Sequence, residues 1–132
     1  LGVSVDDDDG TRLRSGEAVV DVIPLAVAEG AEALVVNCSR PEAVTQAIAA
    51  LSASPLPLGA MANGFTHIAP SFAAVHGSTV AELRARTDLG PAAYADHAAG
   101  WVAQGAAIVG GCCETGPAHV AELVRRLRAR AA

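Results

Sequence analysis

The chain has 132 residues, of which 52% are hydrophobic and 3% aromatic, and its formal net charge is −5 at pH 7. This length is enough for one domain with a core of Ala, Val, Leu and Ile. The acidic balance, the lack of any lysine and the shortness of the apolar runs exclude a nucleic-acid-binding surface, an anionic-membrane surface and a membrane span.

Apolar runs typical of strands alternate along the chain with segments of helical periodicity. The predicted strands are Leu1–Val5, Ala33–Val36, Leu58–Met61 and Ala106–Val109. The predicted helices are Glu17–Glu29, a segment that follows Ser39, a segment from Pro91 to just before Gly105, and Pro117–Arg130. Pro24 either kinks the first helix or marks its true start.

Two features between these elements predict local structure. The spacings Ser39 to Glu42 and Thr79 to Glu82 are those of capping boxes, which begin helices. The run Asp6–Asp9 does not have the spacing of an EF-hand calcium loop, so it is predicted to be a solvated loop.

Four strand–helix repeats predict an α/β fold built from parallel βα units. A complete (β/α)8 barrel needs about 250 residues, so four units correspond to half of one. A small open α/β sheet fits the same pattern. The chain begins with Leu1 inside a strand-like run, which favours a piece of a longer polypeptide.

All three cysteines follow predicted strands. Cys38 ends the second strand region, and Cys112 and Cys113 follow the fourth after the pair Gly110–Gly111. Because the carboxyl ends of parallel strands lie at one edge, the three thiols are expected to meet there. The two glycines are expected to remove side-chain bulk and to permit the unusual backbone angles that would aim neighbouring sulfurs at one point.

Two interpretations of this cluster remain open from spacing alone. Three thiolates are the ligand set of a zinc site with one open position, the arrangement of a catalytic zinc. Free cysteine is also among the most buried residue types, and such residues often only pack. An odd number of cysteines without a secretory leader favours reduced thiols, and hence a cytoplasmic protein.

The motifs together resemble a known family. The segment Gly110–Val120, the pair Asn37–Cys38 and the segment Leu58–Gly64 are similar to those of the zinc-dependent homocysteine S-methyltransferases. The resemblance covers nearly all of the chain, in order. It departs from the family at Met61, where an aromatic residue is common, and at Glu114, where glycine is common.

The resemblance implies a fold, a reaction and a set of site residues. Residues 1–132 would be the C-terminal part of a (β/α)8 domain, strands five to eight, with Cys38, Cys112 and Cys113 as the Zn²⁺ ligands. A methyl group would pass from a sulfonium or ammonium donor, such as S-adenosylmethionine or S-methylmethionine, to homocysteine, giving methionine. Apart from the resemblance, Asn63 and Asn37 are candidate substrate-binding residues because they are polar groups near the site, and the alternative is that their side chains serve turn or strand hydrogen bonds. The first four strands, which carry the family's amino-acid-binding groups, have no counterpart here.

The remaining polar and aromatic residues are expected to be structural. His67, His76 and His97 have no metal-ligand spacing and are predicted on the surface or in loops, while His119 is predicted to pack at a helix end. Trp101 is expected to anchor the outer helical layer. The arginines at 125–130 are expected to form a solvated face.

Two functions of other classes remain as alternatives. One is a non-catalytic zinc- or thiol-binding half-barrel that needs a partner chain, and the other is a plain α/β module with buried cysteines. A half-barrel would leave open sheet edges, so self-association through them is expected as well.

Overall fold

The structure is a computed structural model that describes residues 1–69, 72 and 79–131. Its strands are β1 (Gly2–Val3), β2 (Leu34–Asn37), β3 (Leu58–Met61) and β4 (Ala106–Val109). Its α-helices are α1 (Val22–Ala28), α2 (Pro41–Ala50), α3 (Pro91–Ala103) and α4 (Pro117–Ala131). Short 3-10 turns occupy Val19–Asp21, Leu51–Ala53 and Val80–Glu82. No helix in these described ranges is long and apolar enough to cross a membrane.

The strands form one parallel sheet in the order β1-β2-β3-β4. The predicted parallel α/β fold is therefore confirmed. Each strand lies beside the next along the chain, as in the wall of a (β/α) barrel, whereas a doubly wound sheet reverses its order at a switch point. All four carboxyl ends lie at the same edge of the sheet, and the cysteines follow two of them.

The core lies between the sheet and helices α2 and α3. Leu34, Val36 and Ala60 of the strands are fully buried in the same cluster as side chains of α2 and α3. Trp101 is completely buried on α3, and its indole N–H donates to Thr45 Oγ1 on α2 at 2.9 Å. The predicted role of Trp101 as an anchor of the helical layer is confirmed.

The first predicted strand and helix are both shorter than expected. Pairing with β2 stops at Val3, and Val5 instead bridges to Leu13 in antiparallel fashion. A second bridge, from Arg12 to Ala18, keeps the chain extended past Glu17. The α-helix therefore begins at Val22, with Pro24 in its first turn, where proline is tolerated.

Neither capping box forms. Ser39 Oγ accepts from the Val5 amide at 2.9 Å and lies 3.1 Å from the Val5 carbonyl, so it tethers the loop after β1, and Arg40 occupies the N-cap of α2. Thr79 and Glu82 belong to a 3-10 turn, in which the Glu82 amide donates to the Thr79 carbonyl. The Ser39 hydroxyl therefore binds the distant backbone of Val5 and does not cap α2.

The acidic loop is not simply solvated. Asp7 is buried, and its carboxylate accepts from the Arg40 amide at 2.8 Å and from the Ile68 amide at 2.6 Å. Asp8 is exposed and lies 3.1 Å from His67 Nε2. The prediction was therefore wrong for Asp7, which connects the loops after β1, β2 and β3.

Candidate metal centre

The fold brings all three cysteines together. Cys38 follows β2, and Cys112 and Cys113 follow β4, yet their sulfur atoms all lie within 4.8 Å of one another. The Cys112 and Cys113 sulfurs are 3.9 Å apart, and none of the three is in a disulfide. In the described part of the chain, no histidine or carboxylate joins this cluster.

The end of β3 holds the two cysteine loops against each other. On one side, the Cys38 amide donates to the Met61 carbonyl at 3.0 Å. On the other, the Cys112 amide donates to the Ala62 carbonyl at 3.0 Å and the Gly64 amide donates to the Cys113 carbonyl at 2.9 Å. Strand β3 lies between β2 and β4, so it is the element that sets the distance between the sulfurs.

Two non-glycine residues beside the sulfurs have left-handed backbone angles. Cys38 has φ +50°, and its carbonyl accepts from Arg14 Nη2 at 2.6 Å. Glu114 has φ +62°, which explains why glycine suits this position. Such angles cost about 1–3 kcal/mol each and persist where the surroundings hold them, as they often do at functional sites.

Of the two glycines, Gly111 is required because it has no side chain, and neither glycine adopts a left-handed backbone angle. Neither Gly110 nor Gly111 has a positive φ, so that part of the prediction was wrong. A Cβ on Gly111 would lie 2.0 Å from Thr115 Oγ1, whereas one on Gly110 would only touch the Met61 side chain at 3.5 Å. Thr115 Oγ1 in turn donates to the Cys112 carbonyl at 2.6 Å, which fixes the turn that carries both thiols.

The surroundings of Cys38 and Cys113 keep these two thiols protonated when no cation is bound. Burial, followed by the neighbouring Cys112, raises the pKa of Cys38 to about 12. The same two causes raise the pKa of Cys113 above its ordinary value. A cation at the cluster would reverse this, since a coordinated thiol is deprotonated.

The cluster has the dimensions and donor chemistry of a zinc site. Zinc binds thiolate sulfur at about 2.3 Å in tetrahedral geometry, which places two such sulfurs about 3.8 Å apart. The Cys112–Cys113 separation of 3.9 Å matches this value, and the third sulfur is within 4.8 Å. Soft thiolate ligands also favour zinc over the hard cations Mg²⁺ and Ca²⁺. The three cysteines therefore fit a zinc ion.

The two asparagines predicted near the site differ in how their side chains are used. Asn63 is completely buried, and its Oδ1 accepts from the Phe65 amide at 3.0 Å, but its Nδ2 has no hydrogen-bond partner among the residues that the structure describes. Asn37 is half-buried, and its Oδ1 accepts from the Ser4 hydroxyl at 3.3 Å. Asn63 thus retains a buried donor for a further group, beside the loops that carry the sulfurs.

Tyr94 supports the site and was missed by sequence reasoning. Its hydroxyl lies 3.0 Å from the Ala62 carbonyl and 2.7 Å from the Gly110 carbonyl, and therefore joins the ends of β3 and β4. Burial raises the pKa of Tyr94, so the phenol stays protonated and can donate. A tyrosine within a predicted helix offers no signal that its hydroxyl reaches a strand end.

The three histidines in the described part of the chain lie outside the sulfur cluster. His67 is exposed, as predicted, and His119 Nδ1 accepts from the Gly116 amide at 3.1 Å at the start of α4, which confirms helix-end packing. His97 is half-buried and stacks on Trp101 at 6.1 Å, so its prediction as a surface or loop residue was incomplete. His76 lies outside the described residues.

Comparisons with known proteins agree on one family. The family profile for homocysteine S-methyltransferase matches residues 1–127. The homocysteine S-methyltransferase of Escherichia coli strain K12 is 34% identical over 125 residues, which cover 89% of this chain and 34% of that protein. The chain therefore spans about a third of the length of this relative.

Solved structures of an Escherichia coli protein have a similar fold. The apo form of the homocysteine methyltransferase MmuM matches with a TM-score of 0.64 at 29% identity, over 89% of this chain and 36% of that one. Its metallated form matches with the same TM-score and identity, over 89% of this chain and 32% of that one. The parallel sheet and its helices correspond to part of that larger methyltransferase.

Proposed function

Because the chain belongs to the homocysteine S-methyltransferase family, we propose that it supplies the zinc-binding part of an enzyme that methylates the thiol of homocysteine. The observation that carries this proposal is the convergence of the three cysteine sulfurs at the carboxyl edge of the sheet. In this proposal residues 1–132 form the C-terminal part of a (β/α)8 domain, and β1–β4 are its strands five to eight.

Cys38, Cys112 and Cys113 would hold the zinc ion. When bound there, zinc would supply a way to keep the homocysteine sulfur deprotonated, and hence nucleophilic, at neutral pH. The similarity to a relative solved in a metallated form supports metal binding by this part of the family.

The chain's own residues would position the reactants. The β3 end and Tyr94 hold the cysteine loops at a set distance. The Nδ2 of Asn63, which no described residue binds, would donate to a polar group of the bound amino acid. We propose Asn37 as a second substrate contact, reached by exchange of its hydrogen bond with Ser4.

The overall reaction balances without an oxidant or a reductant. The sulfur of homocysteine forms a new bond to the methyl carbon while the bond from that carbon to the positively charged donor sulfur or nitrogen breaks. The bonding pair stays on the donor, which becomes neutral, and the thiol proton is released. S-adenosylmethionine and S-methylmethionine are donors of the sulfonium class, and a quaternary ammonium compound is the other class.

Metal affinity is expected to rise with pH. Cys38 and Cys113 are protonated at neutral pH because their pKa values are raised, so zinc must displace a proton from each. The protons displaced from these two thiols alone correspond to an increase in affinity of at least about 100-fold per pH unit between about pH 6 and pH 8. Competition with a chromophoric chelator measures this slope, and calorimetry in buffers of different ionisation enthalpy measures the protons released. An affinity that does not change over this range would contradict binding through these thiols.

Cobalt loading and a methyl-transfer assay together test the proposed function. The reduced chain is expected to bind about one Co²⁺ in place of zinc, and homocysteine should then increase the sulfur-to-cobalt charge-transfer absorption as a fourth thiolate joins. Homoserine, which carries a hydroxyl in place of the thiol, is the matched control and should leave the spectrum unchanged. Methionine formation with each donor is measured on the same sample.

The outcomes separate binding from catalysis. A homocysteine-specific change with no methionine formed would establish the acceptor site and leave the donor site to the rest of the barrel. No cobalt band at all would contradict the metal centre. A cobalt band that homocysteine does not alter would contradict the proposed acceptor.

A further inference from the structure

A short segment of the chain, residues 84–86, runs beside the loop that follows β3, and we call it the backing segment. Ala85 forms an antiparallel bridge with Phe65 of that loop. The Arg86 amide donates to the Gly64 carbonyl at 2.7 Å. The backing segment is therefore bonded to the loop after β3 at the position of Gly64.

Gly64 is hydrogen-bonded through both its carbonyl and its amide. Its carbonyl accepts from Arg86, and its amide donates to the Cys113 carbonyl at 2.9 Å. A Cβ on Gly64 would lie 2.8 Å from the Glu114 Cβ, so the loops after β3 and β4 pack closely here. Because Gly64 is bonded to both neighbours, a displacement of the backing segment also displaces the loop that carries Cys113.

The side chain of Arg86 binds two carboxylates at once. Its Nη1 donates to both carboxylate oxygens of Glu42, at 2.8 and 2.9 Å, and Glu42 lies in the first turn of α2. Its Nε and Nη2 donate to the two oxygens of Asp88, at 3.0 and 2.8 Å. A bidentate pair of this kind fixes the orientation of the guanidinium group. The Arg86 side chain is only 12% exposed, so solvent and salt screen these ion pairs less than pairs on an open surface.

From these contacts we propose that Arg86 is a positioning residue for Cys113. Arg86 ties the first turn of α2 to the backing segment, and through Gly64 it fixes the loop that follows β4. Arg86 itself is not part of the sulfur cluster. The inference rests on the proposed function in one respect, which is that Cys113 serves there as a zinc ligand.

The same contacts predict a local effect. Cys38 is held by a different bond, from its amide to the Met61 carbonyl at 3.0 Å, in which neither Gly64 nor Arg86 takes part. Loss of the Arg86 guanidinium is therefore expected to loosen the Cys113 loop and to leave the Cys38 loop in place. Since tetrahedral zinc requires its sulfur ligands at fixed separations, the affinity for zinc should fall.

Amide hydrogen exchange of the metal-free chain tests the positioning role directly. In Arg86→Gln the Gly64 amide is expected to exchange at least about tenfold faster, because the bond to Cys113 opens locally more often. The Cys38 amide should keep its rate, which separates this local effect from a general loss of stability. Arg84→Gln, which changes an exposed arginine of the same segment, is the matched control and should alter neither rate.

Zinc affinity connects the positioning role to the site. Arg86→Gln should lower the affinity by about tenfold, the smaller end of the loss found when groups that orient metal ligands are removed. Its cobalt-loaded form should show a changed sulfur-to-cobalt absorption band, which a loss of stability alone does not produce. Glu42→Gln should have a similar effect. The double variant should lose no more than Arg86→Gln alone, because both changes break the same contact.

Several results would overturn the inference. One is an exchange rate of the Gly64 amide that does not change in Arg86→Gln, or that rises equally with the rate of the Cys38 amide. Others are a folded Arg86→Gln chain with the zinc affinity and cobalt spectrum of the parent, and fully additive losses in the double variant. A parent chain that bound no zinc would contradict the proposed function, and the exchange of the Gly64 amide would still decide whether Arg86 positions the Cys113 loop.

Discussion

Replacement of Cys113 by serine is expected to abolish stoichiometric zinc binding by the reduced chain. The serine hydroxyl does not ionise near neutral pH, so the cluster of three sulfurs would lose one of its anionic ligands. Zinc content measured by elemental analysis should fall from about one ion per chain to less than about 0.1. The effect is large because two protein ligands leave half of a tetrahedral shell to water.

The control for this variant is Glu114→Gln. Glu114 is the next residue along the chain, it is exposed, and it lies outside the sulfur cluster. It should keep one zinc per chain. Circular dichroism of both variants establishes that they are folded, and Cys113→Ser protein that retained one zinc would remove Cys113 from the ligand set.

Replacement of Gly111 by alanine is expected to destabilise the fold by about 1–3 kcal/mol and to weaken zinc binding. The new methyl group would lie 2.0 Å from Thr115 Oγ1 and 2.7 Å from Thr115 Cβ, so the turn itself must move. That turn carries both Cys112 and Cys113, and a displaced turn misplaces two of the three sulfurs. Urea denaturation measures the change in the free energy of unfolding, and chelator competition measures the zinc affinity.

Gly110→Ala is the matched control for the change at Gly111. A methyl group there makes only an ordinary contact with Met61 at 3.5 Å, and the backbone angle is not left-handed. Its cost should stay within about 0.5 kcal/mol. Equal losses of stability at the two glycines would contradict the steric explanation. A Gly111→Ala chain of unchanged stability would show that Thr115 can move freely.

The parts of the fold that follow from periodicity could be predicted. The apolar runs of β2, β3 and β4 and the helices that begin at Pro91 and Pro117 appear where the pattern places them. The meeting of Cys38 with Cys112 and Cys113 followed from the rule that parallel strands share a carboxyl edge. These predictions depend on local chemistry and on a general property of parallel sheets.

The parts that depend on distant partners could not be predicted. Ser39 has the spacing of a helix cap, yet its hydroxyl binds the backbone of Val5, 34 positions away. Asp7 belongs to an acidic run that resembles a solvated loop, yet its carboxylate is buried on two amides of other loops. The left-handed angle of Cys38 also has no signature in the residue type. In each case the tertiary contact outweighs the local preference.

The sulfur cluster joins parts of the chain that are far apart in sequence. Cys38 and Cys112 are separated by 74 positions, from 38 to 112, with α2, β3, α3 and β4 between them. A cation that takes all three sulfurs would act as a removable cross-link, which closes a long loop only in the folded chain. By mass action it would stabilise the fold by about 2.7 kcal/mol at a free concentration 100 times its dissociation constant. The resistance of the folded protein to proteolysis would then rise with the free concentration of the metal, because proteases cleave the opened chain.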